Sequence, residues 1–109
     1  MSNITSEINV RELFFKHAEE IGFKIVKSQT AFPDYVIQGK SGSLYNAEVE
    51  YKLSNFIKHK HDWRKVHFII FWIDDLNTIA PSYIKEFGEP LLPLLNLKKE
   101  LEKLGFDYN

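Results

Sequence analysis

The sequence predicts an α/β domain, with a mixed sheet and helices packed on both of its faces. Three observations carry this. Residues 45–52 alternate strictly between apolar and polar side chains, the period of a strand with two unlike faces. Val66 to Ile73 is apolar almost without interruption, as in a strand covered on both sides. Near either end of the chain lies a segment whose apolar residues recur every three or four positions, the period of an amphipathic helix.

The elements follow in order. Thr5 or Ser6 is the expected N-cap of a helix over about Glu7 to Ile21, closed by Gly22. Its apolar stripe is Val10, Leu13, Phe14, Ala18 and Ile21, with His17 inside it as a packed or half-exposed residue. Glu7 lies at the edge of that stripe, whereas Glu12 and Glu19 point the opposite way. Phe23 to Lys27 alternates and reads as a first strand. Pro33, which has no N–H to give a ladder, suits the start of a second strand opened by Asp34. Gly39-Lys40-Ser41-Gly42 is a turn. It folds Tyr35–Gln38 back onto a third strand, Leu44–Lys52, as a hairpin. Ser54 is placed to cap a short helix to about Asp62. The apolar strand Val66–Ile73 must be central, because its exposure would invite aggregation, and Asp74-Asp75 turns the chain out of it. A short helix from Pro81 to Phe87 is expected before Gly88. The last helix is expected from Pro93, with Leu94, Leu97, Leu101 and Leu104 as its stripe and Gly105 as its stop.

Length and composition narrow the function classes. With 109 residues there is room for one small domain. The absence of cysteine excludes a disulfide scaffold, a thiolate zinc site and a cysteine nucleophile. It fits a reducing, cytoplasmic location. Residues 1–10 have neither the basic start nor the apolar run of a signal peptide. No stretch approaches the ~20 apolar residues of a membrane span, so no membrane association is expected. A net charge of −1 argues against indiscriminate nucleic-acid binding. Between Lys52 and Lys65, however, Lys58, Lys60 and Arg64 add to those two lysines against the single acid Asp62. A solvated basic loop is the plain reading of this run, and a surface for a passing polyanion is the functional one.

The chemistry concentrates on the hairpin. Asn46, Glu48, Glu50 and Lys52 share one face of the third strand, successive members about 7 Å apart. The turn brings Asp34 towards Glu50. Carboxylates in that setting suit a hard cation such as Mg²⁺, which one or two carboxylates bind while waters and substrate phosphate fill the other positions. Lys52 is placed to orient a water or offset charge on a phosphate. The alternatives are a turn acid at Asp34, a solvated charged face at Glu48 and Glu50, and a first-turn acid at Glu7 favoured by the helix dipole.

Pro33-Asp34 followed, after a short hairpin, by Glu50-Tyr51-Lys52 resembles the signature of the PD-(D/E)xK nuclease superfamily. The run from Ser54 to Asp62 and the apolar strand through Trp72 look like those of small prokaryotic or viral members. The resemblance spans about residues 5–75 and leaves 80–105 as a C-terminal helical extension. It implies a single restriction-endonuclease-like domain with an αβββαβ core. It also implies metal-dependent hydrolysis of phosphodiester bonds, in DNA by preference. Asp34, Glu50 and the Tyr51 carbonyl would hold Mg²⁺, or Mn²⁺ in its place, with Glu48 as an additional acid. Lys52 would position the attacking water, and Glu7 would be the helix glutamate such nucleases often supply.

Ser54, Asn55, Lys58, His59, Lys60, His61, Arg64 and Lys65 are the expected nucleic-acid contacts. On a helix His59 and His61 point about 200° apart, so a shared metal is the least favoured of their roles. A homodimer is expected, since one such site nicks one strand. The rival reading is a catalytically inactive module of the same fold that binds nucleic acid or a protein partner. A generic α/β protein carrying a coincidental motif is the third.

Overall fold

A nine-residue strand stands at the middle of the sheet and carries both the core and the carboxylates. The computed structural model describes residues 3–28, 34–58, 65–75 and 94–108, without the side chains of Ile57 and Lys58. The described elements are α1 (Glu7–Ile21), β1 (Lys24–Ser28), β2 (Tyr35–Gln38), β3 (Leu44–Lys52), α2 (Leu53–Lys58), β4 (Phe68–Ile73), β5 (Leu94–Asn96) and α3 (Leu97–Lys103). The strands form one mixed sheet in the order β1-β2-β3-β4-β5. The first two pairings are antiparallel, and β4 runs parallel to both β3 and β5.

Local chemistry sets the ends of α1. The Ser6 hydroxyl caps it by accepting from the Asn9 N–H, satisfying a donor the helix itself leaves open. At the other end Gly22 takes φ 119°, and its N–H reaches the Ala18 and Glu19 carbonyls. That left-handed conformation suits glycine. The hairpin between β2 and β3 turns at Gly39–Gly42, as expected. Gly39 donates to Ser43 and Gly42 to Gly39, both at 3.0 Å.

The core lies on the sheet face that α1 and α3 cover. Val10, Leu13, Phe14 and Ala18 of α1 pack with Tyr35, Ile37, Ala47, Val49, Ile70 and Trp72 of the strands and with Leu97 and Leu101 of α3. Because strand residues alternate, Ile69 and Phe71 face the other way. They are buried together with Val66 and with Leu53 and Phe56 of α2. Both faces of β4 are therefore covered, which accounts for its unbroken apolar sequence.

Several boundaries differ from expectation. β1 begins at Lys24 rather than Phe23, β2 at Tyr35 rather than Asp34, and β4 at Phe68 rather than Val66. The last helix starts at Leu97, not Pro93. Asn96 is its N-cap and accepts from the Lys99 N–H. Leu94–Asn96 instead pair with Ile69–Phe71. Those three residues satisfy backbone groups along the edge of β4, a demand that side-chain periodicity does not register. Accordingly only Leu97 and Leu101 of the leucine stripe are buried, while Leu94 and Leu104 are exposed. Pro33, the second half of the helix expected to Asp62, and the Pro81–Phe87 segment lie outside the described residues.

Two neighbouring phenylalanines on α1 give a direct test of this packing. Phe14 is fully buried and Phe15 is 62% exposed. Phe14→Ala should cost about 3–5 kcal/mol and lower the melting temperature by about 10 °C or more. Phe15→Ala should stay within about 0.5 kcal/mol of the parent. Thermal unfolding of both variants checks the assignment.

Candidate active site

The hairpin register determines which acids meet. Tyr35 pairs with Ala47, so Asp34, one step before the start of β2, falls beside Glu48. Its backbone N–H donates to Glu48 Oε1 at 3.1 Å. In return Asp34 Oδ2 accepts from the Val49 N–H at 2.9 Å. Asp34 Oδ1 lies 3.4 Å from Arg11 Nη1. The aspartate is thus held by a backbone donor and a guanidinium.

Glu50 lies two residues further along β3 and is completely buried. Glu7, half-buried at the start of α1, lies close enough for its charge to act on it. Burial pushes the Glu50 carboxyl up to about 9, assisted by the charges of Glu7, Glu48 and Asp34. Glu48, 5% exposed, is pushed up to about 8 by burial and by the charge of Asp34, against the Asp34 N–H bond, which acts to lower it. The structure therefore brings Glu7, Asp34, Glu48 and Glu50 together. The even-numbered face of β3 is not a solvated charged surface at Glu48 and Glu50.

Arg11 is a member of this cluster that the sequence reading passed over. It stands one helical turn after Glu7, and its guanidinium lies 5.3 Å above the Tyr35 ring. Burial disfavours its charge, but hydrogen bonding to Tyr35 and the negative Asp34 and Glu7 outweigh this and raise its pKa. The i,i+4 spacing from Glu7 was the available signal.

Lys52 is exposed and continues the face of β3 that carries Glu50. Its register partner is Ile73, which places it near Asp75 at the end of β4. Asp75 accepts from both the N–H and the hydroxyl of Ser54. Burial works to raise its pKa, but these bonds, its own backbone and the charge of Lys52 together lower it. Ser54 is consequently buried with its hydroxyl engaged by Asp75, an arrangement that explains its position better than a surface phosphate contact does.

Tyr51 and Asn55 are half-buried, and Lys65 is exposed. The Lys58 side chain and His59, Lys60, His61 and Arg64 lie outside what is described. His17 is a packed residue. It is 2% exposed, with Nδ1 2.8 Å from Glu20 Oε1 and Nε2 3.0 Å from the Tyr108 hydroxyl.

Among the described residues, no three His, Cys, Asp or Glu side chains form a ready set of metal ligands. Asp34 instead gives its N–H to Glu48 and pairs with Arg11. The chemistry of the carboxyls still fits a hard cation, because every side-chain donor is an oxygen and Mg²⁺ needs only one or two carboxylates. No described helix is long and apolar enough to cross a membrane.

The raised pKa values give the domain a definite pH response. Below about pH 4.5, Glu48 and Glu50 are protonated in both folded and unfolded chains. Above that, the unfolded carboxyls ionise first while the folded ones keep their protons, so stability falls with rising pH until about pH 8–9. Glu50→Gln should raise the melting temperature of the metal-free protein at pH 8 and flatten its decline between pH 5 and 9. Thermal unfolding across that range, with the parent alongside, measures both effects. Comparison of the chain with family models, curated proteins and solved structures found no match.

Proposed function

We propose that this chain is a metal-dependent nuclease of the restriction-endonuclease-like fold, hydrolysing phosphodiester bonds, in DNA by preference. The observation that carries the reading is the gathering of Asp34, Glu48 and Glu50 with Glu7, on a strand that continues directly to Lys52. Four carboxyls held together are costly to ionise without a cation. They repel phosphate unless a cation bridges the two. The described order α-β-β-β-α-β, with the antiparallel hairpin leading into a parallel pair, accords with the same reading.

In this mechanism Asp34 and Glu50 would hold Mg²⁺, or Mn²⁺ in its place, with the Tyr51 carbonyl and Glu48 as further oxygen donors, and the bound cation would supply Lewis acidity towards the phosphate and water. Arg11 and the Val49 N–H fix the orientation of Asp34. Glu7 holds Glu50. Lys52 aligns the attacking water and offsets negative charge that builds on the phosphate. A homodimer would supply a second site for the second strand.

One observation favours a different reading, in which the domain is a non-catalytic module that binds nucleic acid or protein. Glu48 and Glu50 are held protonated up to about pH 8 and 9, and two neutral carboxyls need no ion. Cation-dependent stability separates the two. Under the nuclease reading, millimolar Mg²⁺ or Mn²⁺ raises the melting temperature of the parent, and does so more at pH 8 than at pH 6, because binding must displace protons. Under the other reading neither cation changes it.

The direct test is cleavage of supercoiled plasmid, single-stranded DNA and branched duplex with Mg²⁺ or Mn²⁺. The parent should cut. Asp34→Asn and Lys52→Ala should each lose at least about two orders of magnitude in rate. Because Lys52 is exposed, its replacement should leave the melting temperature nearly unchanged. Undiminished cutting by Lys52→Ala would exclude this mechanism.

A further inference from the structure

We propose that the cavity beside the acid cluster, about 330 Å³ and lined by Ile8, Arg11, Glu12, Phe15 and Tyr35, is a subsite for an unstacked nucleobase. The inference rests on the nuclease reading and adds a substrate class to it: strands with unpaired bases.

Arg11 connects the two places. Its guanidinium lies 3.4 Å from Asp34 and 5.3 Å above the Tyr35 ring, so one side chain walls the cavity and pairs with one acid of the cluster. A base in the cavity and its own phosphate at the acid cluster are then adjacent parts of one nucleotide.

Core packing does not account for Ile8 and Phe15, the exposed apolar side chains of the cavity. The core face of α1 is Val10, Leu13, Phe14, His17 and Ala18. Ile8 and Phe15 lie on a different face and are 66% and 62% exposed. Glu12 stands between them at helical spacing, and it too is exposed.

The chemistry of the lining selects the occupant. Aromatic and guanidinium planes stack on bases. A carboxylate accepts from exocyclic amino groups, as from cytosine N4. An apolar helix from a protein partner would meet Arg11 and Glu12 as desolvated charges, whereas a nucleotide complements both. The volume falls at the lower end for small-ligand pockets. Bases in an intact duplex are stacked and paired, so only an unpaired or frayed one can enter.

The test measures binding of two fluorescent oligonucleotides of equal length, with Ca²⁺ replacing Mg²⁺ to suppress cutting. One is oligo(dC), and the other is an abasic strand with the same phosphates. The parent should bind oligo(dC) on the order of tenfold more tightly, the scale of one stacked base. Phe15→Ala, at an exposed position that leaves the core intact, should remove that preference while still binding the abasic strand as the parent does.

Equal affinity of the parent for both strands, or a preference that survives Phe15→Ala, overturns the subsite. Cleavage by the parent in Mg²⁺ would then leave the nuclease reading standing. A parent that binds neither strand and is not stabilised by Mg²⁺ overturns both, and capture of an apolar peptide by the same cavity would identify it as a protein-docking site instead.

Discussion

Two carboxyl groups buried within one strand set conditions that the surrounding structure has to meet. Glu48 and Glu50 occupy the middle of β3, where a charge is expensive and a pair of like charges more so. The fold answers in three ways. Both groups hold protons well above the usual carboxylate range. The Asp34 N–H gives Glu48 a backbone partner, and Asp34 takes one in turn from Val49. Arg11 supplies a positive charge at the rim. Each answer comes from a different element, so α1, β2 and β3 are tied together by the cluster as well as by the apolar core beneath it.

Such an arrangement is seldom favourable for stability alone. Apolar side chains at positions 48 and 50 would fill the same space without the desolvation penalty. Retained buried acids are therefore a sign of a group whose protonation or ligation matters, and this is what separates the site from an ordinary polar strand. It also explains why the acids sit at the sheet centre rather than on a loop. A strand paired on both sides holds side chains in fixed positions, which the proposed nuclease reading requires.

Much of this arrangement was legible in the residues themselves. Strict alternation from Tyr45 to Lys52 identified β3 and separated its two faces. The Gly39–Gly42 turn gave the hairpin, and the hairpin gave the approach of Asp34 to Glu50, whereas the actual register sets Asp34 directly beside Glu48. The apolar run through Trp72 marked β4, an interior strand covered on both faces though one place from the middle of the sheet. What could not be read was which surfaces become covered. Alternation tells that Glu48 and Glu50 share a face, but only the packed structure tells that this face is closed to water. Leu94–Asn96 looked helical because leucines at positions 94, 97 and 101 fit a helical period. The competing demand, an unpaired strand edge, belongs to β4 and leaves no mark on the leucines. Arg11 was overlooked because a lone arginine on a helix is ordinary until its neighbour across the fold is known.

The paired contacts of Asp34 have a consequence for how the hairpin finds its alignment. A slip of one residue between β2 and β3 would turn every side chain of β3 to the opposite face. Glu48 and Glu50 would then be thrust among Phe14, Ile70 and Leu101, while Ala47 and Val49 would face away from them. The misaligned hairpin would also forfeit the mutual bonds between Asp34 and the Glu48–Val49 segment. The same acids that burden the native state thus penalise its nearest misfolded competitor more heavily, and the cluster acts as a proofreading device for strand pairing.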